Sequence, residues 1–206
     1  MLTQPVISYR VDGYGESIHR VHMPGGGVFE TAAMAAPGFE ETMAILPLDD
    51  CTVLGAYVDG DQVMTASVFN DKGVELDGPI VLGGPRGRPA LAAADGAIYL
   101  AWWEPPGLPD DGFGWDPLFE ELWLQRMTWD GTNLLESGPP IPLPRHDSHR
   151  LGDQIMPALA SVPYWPNGGL LAAWTDLTGT NYAGQAPHGD VALQPIPTPV
   201  FRLGAE

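Results

Sequence analysis

Residues 97–104 read Ala97-Ile98-Tyr99-Leu100-Ala101-Trp102-Trp103-Glu104 (AIYLAWWE), an apolar run closed by an acid. Two adjacent tryptophans suggest a binding platform. They suit the two faces of one strand equally well, because side chains alternate along a strand with period two. The rest of the chain decides between these readings by repeating the pattern. Thr52-Val53-Leu54-Gly55-Ala56-Tyr57-Val58-Asp59 and Gly169-Leu170-Leu171-Ala172-Ala173-Trp174-Thr175-Asp176 follow the same order: apolar run, alanine, aromatic, one residue, acid. Tyr57, Trp102 and Trp174 form one column, and Asp59, Glu104 and Asp176 another. Self-similarity at a regular spacing is the signature of a repeat architecture.

The flanks repeat as well. Arg88-Pro89-Ala90-Leu91-Ala92-Ala93 precedes the second copy, and Met156-Pro157-Ala158-Leu159-Ala160-Ser161 the third. Alternating segments follow each copy: residues 62–69, 121–129 and 190–195. The turn signals Asn70-Asp71-Lys72-Gly73 and Asp130-Gly131 close the first two of these. A further strand is expected at 78–82 in one unit and at 138–143 in another. The N-terminus offers three strands, around 5–11, 17–23 and 27–31, and a short helix around 31–36. Four antiparallel strands per unit, repeated radially, make the blade of a β-propeller.

The pattern P-A-L-A, A-W-x-[DE], L-x-L-Q-R-M and D-G resembles the blade repeats of sialidase-like and related bacterial β-propellers, in three copies over about residues 41–206. The resemblance implies an all-β propeller. It does not imply a sialidase, since no S-x-D-x-G-x-x-W box occurs and propellers host enzymes, lectins and scaffolds alike. The expected fold is one propeller-like domain over 1–206, of about four blades with units near 1–40, 41–86, 87–152 and 153–206. The alternatives are a half-propeller closing by oligomerisation, or a β-sandwich.

Composition agrees with many short strands and turns. Hydrophobic residues make up 44% of the 206, with 26 glycines and 22 prolines. The formal net charge is −17 and Lys72 is the sole lysine, which opposes binding to nucleic-acid phosphates or anionic lipid. Cys51 stands alone, so no intrachain disulfide can form, and its apolar setting suggests a small core residue. Neither a signal peptide nor a transmembrane run is visible. The expected location is the cytoplasm, or outside the cell after processing.

Insertions are where repeat folds place function. Residues 104–121, EPPGLPDDGFGWDPLFEE, hold six acids together with Phe113, Trp115 and Phe119. Such aromatics can anchor a partner. Asp110, Asp111 and Asp116 offer hard oxygen ligands for Ca²⁺, though not in EF-hand spacing. Residues 175–189 are small and polar, with Asn181, Tyr182, Gln185 and His188, types that can bind sugar hydroxyls or simply form a loop. His146 and His149, beside Asp147 and Asp153, offer Zn²⁺ donors; a turn held by Asp147 and Ser148 is the plainer reading. The acid column could attract a cation, or each acid could begin a turn.

No nucleophile, zinc-protease or phosphate-loop motif occurs. The expectation is therefore a non-enzymatic binding or assembly protein, with no obligatory cofactor and a protein partner or self-assembly. The candidate contact residues are Trp103, Glu104, Asp59, Asp176, Phe113, Trp115 and Phe119. The alternative is a carbohydrate-binding or glycoside-processing propeller. Within AIYLAWWE, Trp102 belongs to the repeated column and reads as core. Trp103 has no aromatic counterpart and is the candidate.

Overall fold

The computed structural model describes residues 7–12, 17–23, 26–31, 43–49, 51–58, 63–85, 87–104, 121–143, 154–162, 169–176 and 190–196. Among them every regular element is a strand. Four antiparallel sheets follow one another along the chain. The first joins β1 (Ile7–Asp12), β2 (Ser17–His22) and β3 (Val28–Thr31). The second is β4 (Met43–Pro47), β5 (Thr52–Val58), β6 (Val63–Asn70) and β7 (Glu75–Pro85). The third holds β8 (Gly87–Ala94), β9 (Ala97–Glu104), β10 (Glu121–Trp129), β11 (Leu134–Glu136) and β12 (Ile141–Pro142). The fourth is β13 (Gln154–Ser161), β14 (Leu170–Asp176) and β15 (Asp190–Ile196). The fold is therefore all-β, and each sheet has the up-and-down order of a propeller blade. The helix expected near 31–36 falls almost wholly outside the described residues; Thr31 itself ends β3.

The three copies of the motif are β5, β9 and β14, each an inner strand of its sheet. The aromatic column is buried throughout: Tyr57, Trp102 and Trp174 are all core residues. Register explains why such short strands hold. Trp102 lies directly opposite Trp123 on β10, and Tyr57 opposite Thr65 on β6, whose hydroxyl donates to the Tyr57 carbonyl. Cross-strand neighbours of this kind are the unit of sheet stabilisation.

The chain forms two compact units, residues 1–91 with 128–135, and residues 92–127 with 136–206. In the first unit, Tyr57, Val53 and Phe69 on one face of the second sheet pack with Val21 and Met23 of the first sheet and its exit. In the second unit, Trp174, Ala172 and Leu170 on one face of the fourth sheet pack with Tyr99, Ala101 and Leu124 of the third. One rule covers both. The face carrying the aromatic column lies against the sheet that precedes it in the chain.

Turn chemistry sets the hairpins. Asp95 and Gly96 both have positive φ, +50° and +72°, and join β8 to β9 in two residues. Asp-Gly pairs suit that twist-matched turn. Asn70 Oδ1 accepts from the Lys72 and Val74 amides, each at 2.9 Å. Asp130 Oδ1 accepts from the Thr132 and Asn133 amides at 2.8 and 2.7 Å. These bonds, those from Asn133 first, hold the Asp130 carboxyl below its ordinary value of 3.8. A depressed folded pKa stabilises the fold above the unfolded value, and that contribution is lost as pH falls through the folded one. The melting-temperature gap between wild type and Asp130→Ala should thus be steady above about pH 5 and close progressively below about pH 4.

Two expectations are corrected. Cys51 is exposed, not core. It sits in the turn into β5, where its amide donates to Asp49 Oδ1 at 2.7 Å, and the turn geometry holds it at the surface. The outer strand of the third sheet does not run 138–143 as one piece. It starts at Leu134, directly after the turn, and breaks over Ser137-Gly138-Pro139-Pro140 before β12 rejoins β10. Proline has no amide to give the ladder. Gln125 fills the gap: fully buried, its Nε2 donates to the carbonyls of Arg126 and Gly138, both at 2.8 Å. Gln125→Leu leaves both carbonyls without that donor and should lower stability by about 1–3 kcal/mol, read from the denaturant midpoint.

Candidate functional site

The longest insertions leave the sheets at equivalent places, between the second and third strands of the third and fourth sheets. The register shows what frames them. Glu104, the last residue of β9, pairs with Glu121, the first of β10. Asp176, the last of β14, pairs with Asp190, the first of β15. Each insertion is therefore entered and left through facing acids. In the second sheet Val58 pairs with Met64, and Asp59 lies just beyond, outside the described residues.

Glu121 and Asp190 were not singled out in the sequence, although the signal is present. The insertion 104–121 closes on an acid as it opens, and Gly189-Asp190 mirrors Thr175-Asp176. Reading only the column that ends the inner strands hides the partner across the hairpin.

Each such pair of facing acids is the neck of its insertion.

Trp103 stands next to this neck, opposite Leu122. It is half-buried and packs against the core shared by the third and fourth sheets. One side of the ring is thus already engaged in structure. Phe113, Trp115 and Phe119, and the Ca²⁺ candidates Asp110, Asp111 and Asp116, lie outside the described residues, as do the Zn²⁺ candidates His146 and His149. Among the described residues no cluster of three or more His, Cys, Asp or Glu is placed to hold a metal ion.

Away from the necks the described surface exposes several large apolar side chains, Val74, Leu76 and Val81 in and before β7 among them, and a stripe on β15. Val191 and Leu193, alternate residues of β15, are 72% and 59% exposed, and Pro195 continues the stripe.

No protein-family model matches the chain, and no curated protein matches it. Among solved structures it is similar to the GH43 protein BlXynB of Bacillus licheniformis. Identity is 12% and the TM-score 0.37, over 92% of this chain and 49% of that one. The chain thus spans about half the length of that protein.

Proposed function

We propose that the chain is a non-enzymatic binding and assembly protein, its four sheets serving as consecutive blades of one propeller-like domain. The observation that carries this reading is the uncovered apolar stripe of Val191, Leu193 and Pro195 on a regular, hydrogen-bonded strand. Contiguous exposed apolar surface on a folded sheet marks an interaction face. The acid-framed insertions, with Trp103, Glu104, Asp176, Phe113, Trp115 and Phe119 in or beside them, provide a second contact region that suits a basic or cationic partner.

A carbohydrate-processing reading draws on one observation, the Glu104–Glu121 pairing. Glycoside hydrolysis uses two carboxyl groups about 5–10 Å apart. A panel of aryl glycosides and a glycan array, each with and without Ca²⁺, separate the two. The binding and assembly reading expects no aglycone release and no glycan retention. Release that disappears in both Glu104→Gln and Glu121→Gln would overturn it in favour of the hydrolase.

A further inference from the structure

We draw no further inference here: the strongest candidate, the exposed apolar stripe of Val191, Leu193 and Pro195 on the outer strand of the fourth sheet, belongs to the interaction face already described, and nothing in the structure shows what covers it.

Discussion

Trp102→Ala should lower the free energy of unfolding by about 3–5 kcal/mol, close to the whole stability of many domains. Trp102 is fully buried and heads the largest enclosed side chains of the protein. Its partner across the hairpin is another tryptophan, Trp123, so truncation removes the aromatic pair as well as the buried area. Urea unfolding is the measurement: the midpoint should fall sharply with the slope unchanged. Trp103→Ala supplies the comparison. That ring is half-buried against the same sheet's other face, so its loss should be distinctly smaller. Equal losses would contradict the division of the pair into a column residue and its neighbour.

Gly78→Ala should destabilise by about 2–6 kcal/mol, for reasons of backbone rather than burial. Gly78 has φ +114°, a region that side chains other than glycine's rarely enter. A Cβ there would stand 2.8 Å from Ser67 Oγ, 2.9 Å from the Ala66 carbonyl oxygen and 3.0 Å from Ser67 Cα. The last two are backbone atoms, and no rotamer change can move them aside. The cause is visible in the register. Ala66 pairs with Ile80 but Val68 with Asp77, so β7 spends an extra residue opposite Ser67. Such a bulge bends the strand and brings the two backbones close. Gly96→Ala is the control. Its φ is +72° but nothing lies within 4 Å of the added carbon, so only the strain of about 1 kcal/mol remains. Both values come from the same chemical denaturation series.

The inner strands were legible because the information is local and repeated. Three copies of one pattern fix where an aromatic side chain must enter a core, and Tyr57, Trp102 and Trp174 are all buried there. The break in the outer strand of the third sheet was less legible. Gly138-Pro139-Pro140 looks like the start of a strand in isolation, and only the donor supplied by Gln125 from β10 shows that it is an interruption. Cys51 was misread because an apolar neighbourhood in sequence says nothing about a turn that faces solvent. Half of the acid-framed necks were legible: Glu104 and Asp176 from the repeat, Glu121 and Asp190 only once register set them opposite. The open face of β15 was not legible at all. Val191 and Leu193 alternate as any buried strand would, and whether they are covered depends on a neighbour that the strand does not encode.

The two compact units also constrain how the molecule can be made. The first unit begins at residue 1 but draws in 128–135, the stretch that carries the Asp130 turn and the start of β11. The Leu134 amide donates to Asp77 on β7, so this stretch is tied to the second sheet. A nascent chain that has emerged only to residue 91 therefore still lacks a piece of its own first half. That half reaches completion only after β8, β9 and β10 have also left the ribosome. A truncation at the apparent midpoint would cut through both units at once, and limited proteolysis should yield no stable N-terminal fragment ending near residue 91.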